Sequence, residues 1–177
     1  MNLLTRLARH LWLDADDARR AIGSAALERL ETRIRDSEAR HTGEICLCVE
    51  ASLPLSYVWR HLRGTPIDRI VGERALTLFG KLRVWDTELN NGVLIYLQLA
   101  EHRFEIVADR ALARHIDTAE WEGTLTAIAP AFRARHYEEG LARAIDAVSV
   151  ALGRHFPASA ETARQDQNEL PDRPQIR

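Results

Sequence analysis

The first thirteen residues alternate apolar and basic positions at helical spacing. Leucine, alanine and tryptophan side chains recur every three or four residues, and Arg6, Arg9 and His10 lie between them. This pattern predicts an amphipathic helix over residues 1–13. Two interpretations stay open: the helix packs on the rest of the domain, or its apolar face binds a membrane surface or a protein partner.

A second helical pattern follows and leads into the first strand. Asp14 or Asp16 is suited to cap a helix that runs to about residue 40, and Gly43 is a fitting stop after it. The segment 44–50 is a continuous apolar run bounded by two glutamates, which predicts a strand covered on both faces. The buried stripe predicted for the helix consists of Ile22, Ala26, Leu30 and Ile34.

The middle and the end of the chain continue this alternation of helices and strands. Apolar spacing predicts a short helix over 57–62 and a crossover helix from residue 67 to about 82. Strands are predicted over 93–99 and 104–108, joined by a hairpin at 101–103. Two helices close the domain, one starting near residue 118 and ended or kinked by Pro130, the other over 137–155.

Strands separated by helices, with enough helices to cover both faces, predict an α/β fold. We expect a three-layer α-β-α sandwich with a mixed sheet that contains one antiparallel hairpin. The predicted division is an N-terminal helix over 1–13, an α/β domain over 14–156 and a disordered tail over 157–177. The tail is polar and aperiodic, so it offers little apolar surface to offset the entropy of ordering.

Composition narrows the class of protein. The 177 residues carry 24 basic and 26 acidic side chains, a net charge of −2, so the chain lacks the strong positive charge of a nucleic-acid-binding protein. The N-terminus lacks the features of a signal peptide, and the longest apolar run, 92–100, is too short to span a membrane. Cys46 and Cys48 are spaced for one face of a strand, which predicts reduced thiols and a cytoplasmic location.

Several short motifs, taken together, carry a family pattern. They are Glu38-x3-Thr42-Gly43-Glu44-Ile45, Asn90-Asn91-Gly92-Val93-Leu94-Ile95, Arg103-Phe104-Glu105-Ile106 and Ile128-x-Pro130-x-Phe132-x4-Tyr137-x2-Gly140-Leu141-x3-Ile145. Over residues 14–156 the chain resembles the TPM domain family, which includes thylakoid-lumen proteins of photosystem repair and many bacterial proteins. It departs from many relatives at 107–112, where they carry a glycine-rich turn.

The resemblance implies an α-β-α sandwich, with weak acid-phosphatase activity in some members and divalent-cation binding in some. Bacterial relatives often carry a secretion signal and a C-terminal membrane span, and they are often encoded near LemA-type membrane proteins. This chain resembles a branch of the family without those two segments. A LemA-type protein is therefore the partner that the resemblance implies.

A candidate metal site follows from the predicted hairpin. The loop that precedes the second strand lies beside the end of the third, because a hairpin places the start of one strand next to the finish of the other. Asp86, Glu88, Asn90 and Asn91 are thereby expected near Asp109. Carboxylate and amide oxygens are the ligands of Ca²⁺ and Mg²⁺, and no organic cofactor is indicated. The alternative is that the Asn-Gly pair only forms a turn and the acids are solvated.

These features support three functional hypotheses. The first is a TPM-family binding or regulatory domain, linked to an envelope-associated LemA-type system. The second is a weak metal-dependent phosphomonoester hydrolase that uses Asp86, Asn91 and Asp109. The third is a peripheral membrane module that binds through the N-terminal helix. The sequence contains no strong nucleophile motif, which favours the first hypothesis.

Overall fold

The structure is a computed structural model, and it describes residues 3–159 and 169–177. The helices are α1 (Leu3–Trp12), α2 (Ala15–Ile22), α3 (Ser24–Glu38), α4 (Leu55–Leu62), α5 (Ile67–Lys81), α6 (Arg110–Ala113), α7 (Thr118–Arg133) and α8 (Tyr137–His155). The strands are β1 (Ile45–Glu50), β2 (Val93–Gln98), β3 (Arg103–Ala108) and β4 (Gln175–Ile176).

The strands form one mixed sheet in the order β3-β2-β1-β4. β1 is parallel to both β2 and β4, and β2 and β3 form the antiparallel hairpin. Side chains at alternate positions of β1 and β2 face opposite layers of helices. Ile45, Leu47 and Val49 pack with α2, α3, α7 and α8, whereas Cys46 and Cys48 pack with α5. The predicted three-layer α-β-α sandwich is confirmed.

The N-terminal helix α1 lies against the domain. The Arg9 guanidinium donates to the carbonyl of Ala100 at 2.9 Å. The His10 ring accepts from the backbone N–H of Leu53 at 3.0 Å through Nδ1, so Nε2 carries the hydrogen that reaches the Glu101 carboxylate, also at 3.0 Å. This arrangement favours the interpretation in which the helix packs on its own domain.

Two helix boundaries differ from the prediction. The single helix expected up to residue 40 is two helices, because Gly23 adopts a φ of 90° that ends α2 before α3 begins at Ser24. The helix that Pro130 was expected to end or kink continues through that residue to Arg133. The short helix α6 was not predicted.

The expectation of a disordered tail is wrong for the described part of that segment. β4 pairs with β1, Gln175 opposite Cys48 and Ile176 opposite Val49. Leu170 is buried in the same hydrophobic cluster as Cys46, Cys48 and Tyr96. A two-residue strand and one leucine are too little for a periodic signal, which explains the failure of the prediction. Residues 160–168 of the predicted tail lie outside the described residues.

Candidate functional site

The loop before β2 and the end of β3 meet at the amino end of the parallel strands. The N–H of Asp109 donates to the carbonyl of Gly92 at 2.9 Å, and the N–H of Ala111 donates to the carbonyl of Asn90 at 3.0 Å. A side chain at Gly92 would collide with the carbonyl oxygen of Val84, 2.1 Å from the ideal Cβ position. Glycine is therefore required for the loop to approach this closely.

Asn91 is the most buried polar residue of this loop. Its side chain is held from the β1 side, where Nδ2 donates to the carbonyl of Thr42 at 2.9 Å. Its backbone N–H donates to the hydroxyl of Thr87 at 3.2 Å. The side-chain oxygen Oδ1 is buried and accepts no hydrogen bond from the described residues. A buried acceptor in this state is uncommon and calls for a ligand, a water or an ion.

Asp109 presents a second acceptor of the same kind. Its Oδ1 accepts from the backbone N–H of Arg110 at 2.6 Å, which makes Asp109 the cap of α6. Its Oδ2 is buried and has no hydrogen-bond partner among residues 3–159 and 169–177. The amino end of the hairpin thus holds one amide oxygen and one carboxylate oxygen without donors.

The other predicted ligands are exposed or form interactions elsewhere. Asp86 is exposed and forms an ion pair with Arg83, while the side-chain oxygen of Asn90 accepts from the guanidinium of Arg110. Glu88 is exposed, and its backbone N–H donates to the carboxylate of Glu169 at 3.0 Å. Within the described chain no three His, Cys, Asp or Glu side chains are grouped so that they could hold a metal ion. Of the five predicted residues, Asn91 and Asp109 are the two with a buried side-chain oxygen that has no hydrogen-bond partner among the described residues.

Sequence reasoning missed a cluster of carboxyl groups beside this site. Glu38 at the end of α3 accepts from the N–H of Ile45 at 2.8 Å, and Glu44 accepts from the N–H of Leu170 at 3.1 Å. Burial is the main cause that raises the pKa of Glu38 to about 9, and the charges of Glu44 and Asp172 raise it further. Asp172 belongs to the segment predicted to be disordered, so no sequence signal placed it here.

His41 and the two cysteines are buried near the same end of the sheet. Desolvation lowers the pKa of His41 to about 4, so its ring is neutral at neutral pH. The thiols of Cys46 and Cys48 are free, as predicted, and burial raises the pKa of each to about 12. A thiol with so high a pKa is a poor nucleophile and a poor metal ligand. The cysteines are core residues.

The carboxyl end of β1 carries a different buried carboxylate. Glu50 accepts from the Arg74 guanidinium, with N–O distances between 2.5 and 3.1 Å, and from the Tyr96 hydroxyl at 2.6 Å. The Arg74 guanidinium also lies over the ring of Tyr57, 5.4 Å from its centroid. The partners of this carboxylate are complete, which marks the cluster as structural.

The comparisons with known proteins identify the family. A family model for the TPM domain matches residues 16–151. The chain belongs to the TPM domain family. The fold of this TPM domain is similar to the NMR structure of the BA42 protein from the psychrophilic bacterium Bizionia argentinensis, with a TM-score of 0.69 and 26% identity. The likeness covers 86% of this chain and 93% of that chain.

Two further findings concern the TPM domain as a whole. The comparison with curated proteins found no match. Among the residues that the structure describes, no helix combines the length and apolar character that crossing a membrane requires.

Proposed function

We propose that this TPM domain is a binding or regulatory domain whose state depends on a divalent cation, Ca²⁺ or Mg²⁺, at the amino end of the β2-β3 hairpin. The observation that carries the proposal is the pair of buried oxygens without donors, Oδ1 of Asn91 and Oδ2 of Asp109. Hard cations take oxygen ligands and accept amide, carbonyl and water oxygens beside carboxylates. Two protein oxygens and several waters suit Mg²⁺ in particular.

The acidic surroundings support a cation at this place. Glu38, Glu44 and Asp172 lie beside the start of β1, and the charges of Glu44 and Asp172 add to burial in raising the pKa of Glu38. A cation bound nearby would lower the free energy of the ionised carboxylates. The same negative field would raise the local concentration of cations.

Binding is favoured over hydrolysis by where the acidic side chains lie. The hydrolase hypothesis needs Asp86 beside Asn91 and Asp109, but Asp86 is exposed and paired with Arg83. We therefore rank a metal-dependent phosphomonoester hydrolase second. For the binding role, family membership supports a protein partner of the LemA type. We rank a membrane-surface role third, because α1 packs on its own domain.

Thermal unfolding with and without cations tests the proposal. A cation that binds only the folded state stabilises it by about 2.7 kcal/mol when its concentration is a hundred times Kd. We expect CaCl₂ or MgCl₂ to raise the Tm of the wild type and to leave the Tm of Asp109→Asn unchanged. This substitution keeps an oxygen for the N–H of Arg110 and removes the charge.

Asp86→Asn is the matched control because it removes a carboxylate from the same loop at an exposed position. We expect its response to cations to equal that of the wild type. A wild-type Tm that stays constant in millimolar Ca²⁺ and Mg²⁺ would overturn the cation proposal and leave the search for a protein partner. An equal response of all three proteins would place the cation elsewhere.

A further inference from the structure

The opposite end of the sheet holds a cavity whose polar walls are basic. Its volume is about 500 Å³, and it lies between α1, α2, the β2-β3 turn and the connection from α7 to α8. Arg9, Arg20, His102 and Arg135 line it, and Asp17 is the acid among them. The site proposed for a cation lies at the other end of β2, so the two regions are separate.

Two lining residues adopt the left-handed backbone conformation, with positive φ, that glycine adopts more easily. His102 has φ of 52° in the β2-β3 turn, and Arg135 has φ of 64° after α7. Around Arg135, the N–H of His136 donates to the carbonyl of Ala131 and the N–H of Arg135 to that of Phe132. This is the Schellman motif, and Arg135 occupies the position usually taken by glycine. Residues strained in this way cluster at ligand sites.

Arg83 ends a helix with the same backbone turn as Arg135, but its side chain has different surroundings. Arg83 ends α5 with φ of 58° and the same pair of hydrogen bonds, from Val84 to Phe79 and from Arg83 to Gly80. Its guanidinium is paired with Asp86. For Arg135, by contrast, no carboxylate partner exists in the described part of the chain. Arg135 thus brings an uncompensated positive charge to the cavity.

A chain of hydrogen bonds prepares a donor in the same cavity. Arg9 NH1 lies 3.1 Å from Nε2 of His102, and arginine only donates, so Nε2 is the acceptor. Nδ1 of His102 therefore carries the hydrogen and donates to the Tyr137 hydroxyl oxygen at 2.8 Å. The hydroxyl hydrogen of Tyr137 is then left to donate, and no described residue accepts it.

Electrostatics and shape select the ligand class. Burial first, then Arg9 and Arg135, lower the pKa of His102, so both guanidinium groups act on one ring. Arg20 is compensated by its ion pair with Asp17, at 2.6 Å. The Asp17 carboxylate also disfavours a ligand with two negative charges. The apolar part of the wall is formed by Leu13, Ala21 and Leu99.

We propose that this cavity binds a small organic acid with one carboxylate and an apolar body. The planar guanidinium of Arg135 matches a carboxylate, and the Tyr137 hydroxyl supplies a second donor. The apolar body lies against Leu13, Ala21 and Leu99. A cavity of about 500 Å³ is in the range that accommodates small molecules.

Isothermal titration calorimetry with 3-phenylpropionate tests the proposal on the full chain, with the neutral 3-phenylpropionamide and the doubly charged phenyl phosphate as comparison ligands. We expect the acid to bind more tightly than both. Arg135→Gly should weaken binding of the acid about tenfold to a hundredfold, the range for a lost charge-assisted hydrogen bond. Tyr137→Phe should weaken it about threefold to tenfold.

Arg133→Ala is the matched control, since this exposed arginine lies two residues away on α7 and does not line the cavity. We expect its affinity for the acid to equal that of the wild type. Equal affinities for acid and amide, tighter binding of phenyl phosphate, no binding of the acid, or unchanged binding by Arg135→Gly would each overturn the proposal. Glycine suits the left-handed backbone at this position, so a folding defect would not obscure the result.

Discussion

At the amino end of β1 and β2 the buried and half-buried polar groups include several carboxyl and amide oxygens, whereas at the carboxyl end the polar wall of the cavity is formed mainly by guanidinium groups, an imidazole and a phenol. The acidic end is built by residues next to the strands, together with Asp172 from the C-terminal segment. The basic end is built by α1, a hairpin turn and a helix connection. The proposed cation site and the proposed acid-binding cavity thus lie at opposite ends of one sheet.

The difference shows how the same scaffold handles buried charge in two ways. At the acidic end Glu38 is kept neutral by burial and by its acidic neighbours. At the basic end the buried carboxylate of Glu50 accepts hydrogen bonds from the Arg74 guanidinium and the Tyr96 hydroxyl. Charge is suppressed in the first case and compensated in the second, and this contrast can be tested by substitution.

The largest effect is expected from breaking the compensated pair. Glu50→Ala should lower the free energy of unfolding by about 3–5 kcal/mol, because it leaves the buried guanidinium of Arg74 without a counter-charge. Urea unfolding measures the loss. Asp146→Ala breaks the exposed ion pair with Arg33 and should cost less than about 1 kcal/mol. Similar losses in both variants would contradict the distinction between the two pairs.

A smaller loss is expected when the C-terminal segment is loosened from the acidic end. Leu170→Ala removes a buried side chain from the layer between the sheet and α5 and should cost about 2–3 kcal/mol. The exposed Leu89→Ala is the control and should change stability by less than about 0.5 kcal/mol. Equal unfolding midpoints for the two variants would mean that the segment does not pack as described.

Because Glu38 is kept neutral in the folded protein, replacing it with a neutral residue should raise the free energy of unfolding by an amount that depends on pH. Because the folded state raises the pKa of Glu38 to about 9, its contribution to stability is present at acidic pH and is lost as the pH rises from about 4.5 to 9. Glu38→Gln stays neutral and keeps an oxygen for the N–H of Ile45. We expect this variant to be more stable than the wild type by about 1–3 kcal/mol at pH 8, with little difference at pH 4.5.

Glu28→Gln on the exposed side of α3 serves as the control for the substitution itself. The comparison requires urea unfolding of the wild type and both variants at the two pH values. A destabilised Glu38→Gln at pH 8 would show that the carboxylate is ionised in the folded protein.

The smallest effect is expected at the basic end. Arg135→Gly should raise the free energy of unfolding by up to about 1 kcal/mol, because glycine relieves the left-handed backbone after α7. The same change two residues earlier, Arg133→Gly, places glycine in the last turn of α7 and should cost about 1 kcal/mol. A Tm of Arg135→Gly below that of the wild type would mean that the arginine side chain itself stabilises the fold.

Much of the fold could be predicted from periodicity. The strands β1, β2 and β3 and the helices α5 and α8 were predicted close to their observed bounds because each has a clear apolar pattern. The break at Gly23 was missed because the apolar stripe continues across it. β4 was missed because a two-residue strand is formed by its pairing with β1 and not by its own composition.

The candidate sites, too, could be predicted from the sequence only in part. The approach of the loop before β2 to Asp109 could be predicted because a hairpin fixes which strand ends are neighbours. The ion pair of Asp86 with Arg83 and the hydrogen bond from Arg110 to Asn90 depend on side-chain directions that no spacing encodes. The basic cavity joins Arg9, His102 and Arg135, which lie far apart in the sequence, so tertiary packing alone assembles it.

The short strand β4 also protects the protein against association. Without it, β1 would be an edge strand whose apolar residues Ile45 to Val49 present unpaired backbone groups to other chains, a template for aggregation. β4 covers the half of that edge that holds Cys48, and Leu170 covers the thiols from the α5 side. Detachment of the last residues would therefore leave the backbone edge of β1 unpaired and loosen the packing around the two thiols. The rate at which a thiol reagent labels the native protein would report how often this happens.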